Sequence, residues 1–431
     1  MLNTKSRNAL ASMATGLLTM TALTGAAMAQ STTLTMLVDN ASHTIAISEA
    51  LVEAFEAENP DVAIEIEARP GGGEGDNIVK TRLATGQMTD IFWYNTGSLL
   101  QAIAPQRTLV DLSAEPFMDN IAEAFKTVVT AGDGIYGVPT RPAEAGGIFY
   151  NRSVYAQLGL EVPLTWADFM ANNEAIKAAG ITPVIQTYGE PWTSQVLVLA
   201  DFYNVQRQNP DFAEQYTAGT AKFATTPGAV RGFEYLKEVF DAGYLNADFG
   251  AARYEDGLRM LAEGTGAHYP MITFAIPALS ESFPEQMDDI GFFALPADTA
   301  ENTGLTVWMP AGFYIPQTSS NVDVAKQFLA FVASPEGCAV QSEAVAVNGP
   351  YLIEGCVLPE DVAPAVADLL PYFEEGGQNA PALEFLSPIK GPILEQLTVE
   401  VGSGFREPAD AAALYDEDVR KQAQQLGLPG W

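Results

Sequence analysis

Apolar positions along the chain switch repeatedly between a strand-like and a helix-like period. Leu34 to Val38 is a short apolar run of strand type. Ile47, Leu51 and Phe55 then fall on one helical face, and Asn59-Pro60 ends that helix because proline cannot continue it. Val62, Ile64 and Ile66 alternate with small or acidic residues, the pattern of a half-buried strand. Asp90 to Tyr94 reads as a short apolar strand ending in aromatics. Three further helices are marked by Trp166/Phe169/Met170/Ile176, Val230/Phe233/Leu236/Val239/Phe240 and Val324/Phe328/Leu329/Phe331/Val332. Strands separated by helices predict an α/β fold with parallel sheets covered on both faces. In such sheets ligands meet the carboxyl ends of strands. The run Gly71 to Asp76 is expected to be a flexible turn after a strand, with its backbone donors meeting a ligand as the alternative. It has no lysine and carries two carboxylates, which argues against a phosphate loop.

The first thirty residues break this pattern. Lys5 and Arg7 precede the uncharged stretch Asn8 to Gln30, which ends in Ala27-Met28-Ala29. This is the layout of a secretory signal, expected over residues 1–29, with a retained anchor as the alternative. No cysteine stands near the cleavage point, so a lipoprotein is not expected, and the mature chain is expected in the periplasm. Cys338 and Cys356 are the only cysteines. In an oxidising compartment such a pair is expected to form one disulfide, two buried thiols being the alternative.

Length and composition narrow the function. A chain of 431 residues is expected to hold two or three domains. At 48% hydrophobic and 17% charged it can bury a large core. The formal charge is −33, from 54 Asp and Glu against 21 Lys and Arg. That balance argues against nucleic acid and against anionic membranes, both of which need clustered cations. Two His and two Cys leave little for a metal centre, and no cofactor is expected. Motifs for phosphate loops, zinc proteases, thiol redox centres and nucleophile elbows are missing, so no catalytic residue is assigned.

Aromatics and short polar groups instead gather where strands end. Asn40 and His43 follow the first strand, and Trp93, Tyr94 and Asn95 close another. Glu144 precedes an apolar run. Glu190 and Trp192, then Tyr269, Trp308 and Phe385, complete the set. A sugar needs this mixture, with flat aromatic faces for its C–H surface and carboxylates or amides for its hydroxyls. Each aromatic alone reads more readily as a core or domain-interface residue, and only the set points to a ligand; His43 stays open between a ligand donor and a local cap.

Several segments, in order, resemble one family: Phe55-Glu56-Ala57-Glu58-Asn59-Pro60-Asp61-Val62, Leu83-Ala84-Thr85-Gly86, Asp90-Ile91-Phe92-Trp93 and Gly137-Val138-Pro139. Tyr150-Asn151-Arg152-Ser153-Val154-Tyr155, Pro163-Leu164-Thr165-Trp166, Ala325-Lys326-Gln327-Phe328-Leu329 and Ser334-Pro335-Glu336-Gly337 continue the match. The chain resembles the family 1 extracellular solute-binding proteins of bacterial ABC importers, the group that includes maltose-binding protein. The resemblance implies two α/β lobes with a discontinuous chain and a ligand cleft between them. Residues 30–144 and 309–368 would form the first lobe, and 145–308 and 369–431 the second. The crossings would fall near Glu144, near Trp308 to Gly312 and near 365–372. Trp93 would be a wall of a sugar site and Glu144 a hinge-side acceptor, with Glu190, Trp192 and the region of Tyr269 facing them. Phe385 aligns only loosely with a further aromatic wall, and Tyr269 stands where that pattern favours Trp. The implied function is capture of a carbohydrate and delivery to permease subunits in the inner membrane, by a monomer. A cationic or zwitterionic solute on the same scaffold is the alternative, and a glycosidase using Glu144 and Glu190 a third reading.

Overall fold

The computed structural model describes residues 32–374 and 376–431, and the signal segment expected over residues 1–29 lies outside them. In chain order the strands are β1 (Thr32–Asp39), β2 (Val62–Arg69), β3 (Ile91–Asn95), β4 (Thr130–Ala131), β5 (Gly134–Ile135), β6 (Gly137–Pro139) and β7 (Glu144–Asn151). Then come β8 (Thr182–Val184), β9 (Gly266–Ile272), β10 (Ile290–Ala294), β11 (Leu305–Trp308), β12 (Ala311–Tyr314) and β13 (Asn379–Pro381). They form two main sheets. The first has the order β2-β1-β3-β12-β6; the second runs β13-β11-β7-β9-β8, with β10 also paired to β7.

The helices form where the apolar spacing asks for them. Ser42–Glu58 buries Ile47, Leu51, Val52 and Phe55 and stops at Asn59. Trp166–Ala178, Pro227–Asp241 and Val322–Val332 each turn the expected face inward. In the first lobe Phe55 meets Phe328 edge-on at 5.3 Å. In the second, Phe149 meets Phe292 at 4.9 Å and Trp166 stacks on Tyr235 at 3.9 Å. Buried aromatic pairs of this kind add to the stabilisation from apolar burial.

Two features depart from the sequence expectation. The sheets are mixed rather than parallel: β12 runs antiparallel to β3 and β6, and β7 antiparallel to β9, β10 and β11. A strand that enters a sheet directly from the other lobe arrives in the reverse direction, and β12 does so two residues after β11. The glycine run is not a free turn. It supplies the opening turns of the helix Gly72–Thr85, whose period is set downstream by buried Val79 and by Leu83 against the core. The short helix Pro364–Ala367 packs on β10, and Asp368 pairs with Arg152 at 2.6 Å. The chain therefore meets the second sheet at Pro364 to Asp368, in the neighbourhood of 365–372 read from sequence.

The other two crossings are short. The chain leaves β6 and enters β7 at Glu144, and returns between Trp308 and Ala311. Cys338 and Cys356 are disulfide-bonded, with Cα atoms 5.9 Å apart, and join the helix Pro335–Ala344 to the loop after Ile353. No described helix is long and apolar enough to cross a membrane.

Candidate ligand-binding groove

The crossing strands form the floor of an interlobe groove. Glu144 opens β7 and Trp308 closes β11, and the two are direct cross-strand partners. The Trp308 indole lies over Gly146, where a Cβ would stand 2.4 Å from the ring, so only glycine admits it. Three connected chambers follow along the groove. The middle one, about 350 Å³, is bounded by Asp39, His43, Arg141, Glu144, Trp192 and Trp308. An outer one of about 580 Å³ shares His43 and Phe274 with it and adds Tyr254, Glu281 and Ala344 to Ala346. The third, about 470 Å³, shares Gln195, Glu384 and Lys390 with the middle and adds Asn95, Phe385 and Glu395. These volumes suit small-molecule ligands.

Electrostatic partners fix the floor. Glu144 is buried, with Arg141 Nε 3.2 Å from Oε1, and Asn348 Nδ2 donates to the same oxygen at 3.3 Å. Burial pushes the Glu144 carboxyl above its ordinary range, and Arg141 and Asn348 oppose that rise. Arg141 Nη1 lies 2.8 Å from His43 Nε2. Facing a cation, that ring nitrogen serves as acceptor and the imidazole is neutral. Burial and Arg141 lower the His43 pKa to about 4, against a weaker pull from Asp39.

The second lobe presents its aromatics on turns. Pro191 opens the short helix Pro191–Gln195 and sets its backbone, leaving Trp192 at the surface with 36% exposure. Its ring meets Tyr254 at 5.4 Å and Phe274 at 5.8 Å, and those two meet each other at 5.9 Å. The three make one continuous aromatic face beside the middle and outer chambers.

Of the residues expected at a site, His43, Glu144, Trp192 and Trp308 come together in the middle chamber, and Asn95 and Phe385 in the third. The others do not join them. Asn40 is exposed and borders none of the three chambers. Trp93 is buried beneath the Arg69 guanidinium, 5.5 Å from its ring centre. Tyr94 is fully buried and donates to Asp76; Tyr269 is fully buried with its hydroxyl 2.8 Å from Thr187 Oγ1. Glu190 accepts the Tyr254 backbone N–H at 2.7 Å and faces Arg253 at 3.6 Å, so its carboxylate secures the start of the helix Tyr254–Ala262. The Glu144–Glu190 pair that hydrolysis would need is not assembled in one chamber.

Arg141, Asn348, Tyr254, Phe274 and Lys390 enter the site without being singled out by sequence, while Glu384 enters it beside Phe385, the pair that the sequence places together. Phe274 had a usable signal, since it stands two residues past the end of β9. Asn348 had none, because its loop meets Glu144 across 204 residues of chain. Among the described residues no group of three His, Cys, Asp or Glu is placed to hold a metal ion.

Residues 40–337 match the bacterial extracellular solute-binding protein family. The chain belongs to that family. This solute-binding protein is 25% identical over 264 residues to the multiple sugar-binding protein of Streptococcus mutans, a match spanning 60% of each chain. Its fold is that of a chitin oligosaccharide binding protein, with a TM-score of 0.76 at 23% identity, covering 92% of this chain and 100% of the other. A solute-binding protein in complex with raffinose superposes with a TM-score of 0.74 at 21% identity, covering 91% and 99%.

Proposed function

We propose that this solute-binding protein captures a saccharide in the interlobe groove and delivers it to the permease subunits of an ABC importer. The observation that carries this reading is the joint floor of Glu144 and Trp308, flanked by the Trp192–Tyr254–Phe274 face and open to both sheets. Carbohydrate recognition uses stacked aromatic faces together with charge-assisted hydrogen bonds to hydroxyls. The naming of the Streptococcus mutans relative as a sugar-binding protein supports it, as does the family's description. Capture works by closure: contacts from both lobes favour the closed state, and only a difference in affinity between states drives it. The lobes would then be residues 32–143 with 309–363, and 144–308 with 364–431. The protein acts as an exported monomer, because both walls of the groove come from one chain.

A second reading has its own support. Asp39, Glu144, Glu281, Glu384 and Glu395 border the groove against only Arg141 and Lys390, which favours a cationic or zwitterionic solute over an anionic one. A thermal-shift panel separates the two, since a ligand raises the melting temperature with occupancy. Raffinose, chitin oligosaccharides and other neutral saccharides form one arm; betaine and putrescine form the other. Stabilisation by saccharides alone supports the first reading. A shift with betaine or putrescine and none with any saccharide overturns it.

A further inference from the structure

Three passages of chain meet at one carboxylate. Trp308 enters the middle chamber from the end of β11, and its Nε1–H donates to Glu384 Oε1 at 2.7 Å. The other oxygen, Oε2, accepts from Lys390 Nζ at 2.5 Å. Trp308 borders the middle chamber and Lys390 both the middle and third chambers. The backbone of Glu384 is itself held from the opposite lobe. Gly97, at φ +60°, lies so close beneath it that a Cβ there would stand 2.7 Å from the Glu384 carbonyl oxygen and from the Phe385 ring. Burial would raise the Glu384 carboxyl, but Lys390 and the Trp308 N–H outweigh it and hold the group ionised.

We propose that Glu384 is a positioning residue for ligand binding: its two oxygens fix the indole of Trp308 and the ammonium of Lys390 as one preset unit spanning two chambers. Each oxygen already accepts one hydrogen bond from a neighbour, and the proposed effect is the one that passes through those neighbours. An indole whose N–H has a charged acceptor is restrained in its side-chain torsions, whereas one without it samples other rotamers. Restraint before binding removes an ordering cost from the binding step. Lys390 keeps two further N–H donors for acceptor atoms of the ligand. The binding arm of the test rests on the saccharide reading above; the fluorescence arm does not.

The variant Glu384→Met removes both acceptors while keeping the length of the side chain, and Glu384→Gln keeps one acceptor for Trp308 but not the charge. In the ligand-free protein, acrylamide quenching of tryptophan fluorescence should increase in Glu384→Met relative to wild type. The increase should vanish when Trp308→Phe is also present, and Glu384→Gln should stay near wild type. Unchanged quenching in Glu384→Met overturns the proposal whatever the ligand proves to be. With raffinose titrated by calorimetry, Glu384→Met should weaken binding by about tenfold, the loss expected for a charge-assisted bond. Added to Trp308→Phe, the same change should weaken it much less. Losses that multiply independently in the double variant overturn the proposal. If wild type does not bind raffinose, that bears on the choice of saccharide, and the quenching result decides the role of Glu384 alone.

Discussion

The two walls of the groove are chemically unequal. The first lobe brings short polar and small side chains: Asp39, Ala41, His43, Asn95 and Ala344 to Ala346. The second brings Trp192, Tyr254, Phe274, Trp308 and Phe385. Both lobes are rich in aromatics, so the difference lies in where each fold lets an aromatic stand. Trp93 and Tyr94 sit within β3, which is flanked by β1 and β12 and closed over by packed helices, and both rings are buried. Trp192 sits on a proline-started turn beyond the end of a strand, where one face stays free. Trp93 and Tyr94 are enclosed by neighbouring strands on both sides, whereas Trp192 on its turn and Trp308 at the last position of β11 keep an edge on the groove. In the proposed function the second lobe would supply most of the stacking, and the first would add hydrogen bonds on closure.

That contrast is most directly broken through a core aromatic. Tyr269→Ala should cost ~3–5 kcal/mol of stability, the range for truncating a large buried aromatic. Denaturant unfolding of the ligand-free protein reads it; a loss below about 1 kcal/mol would return Tyr269 to the groove. Next comes the floor. Glu144→Gln should weaken saccharide binding by ~1.5–3 kcal/mol, since a charged acceptor is replaced by a neutral one. Calorimetry measures this, and wild-type affinity would remove Glu144 from the site.

Trp192→Ala should cost ~1–3 kcal/mol of binding with little change in the unfolding midpoint, because the ring is partly exposed. A large stability loss with normal affinity would show that the second lobe's aromatic wall is packing, and the contrast between the walls would fail.

The last test concerns the first wall. His43 binds its proton at about 4 in the folded chain, against 6.5 when unperturbed. Between those values the unfolded chain holds more protons than the folded one, so stability falls as pH is lowered from about 6.5 to 4 and levels off below. His43→Gln should remove part of that slope. Buried His268, lowered to about 3 by its burial, retains a similar one. Melting temperatures of both proteins across pH 7 to 3 test this, and identical profiles would show that burial of His43 beside Arg141 does not contribute to the slope.

Much of this was readable in the sequence. Local periodicity carried the helices Ser42–Glu58, Trp166–Ala178, Pro227–Asp241 and Val322–Val332 and the strands β1 to β3, because a repeat of 3.6 or 2 is a property of neighbouring residues. The two isolated cysteines carried the disulfide, and the ordered motif segments carried the family. What the sequence could not contain was which faces remain open once two sheets and their helices pack. Tyr94, Tyr269 and Glu190 have the same chemistry as the residues that reach the groove, yet packing and a backbone hydrogen bond take them out of it. Asn348 and Glu384 enter it through contacts spanning 204 and 76 residues of chain. Only the tertiary structure decides such pairings, because they depend on how the lobes meet and not on any local pattern.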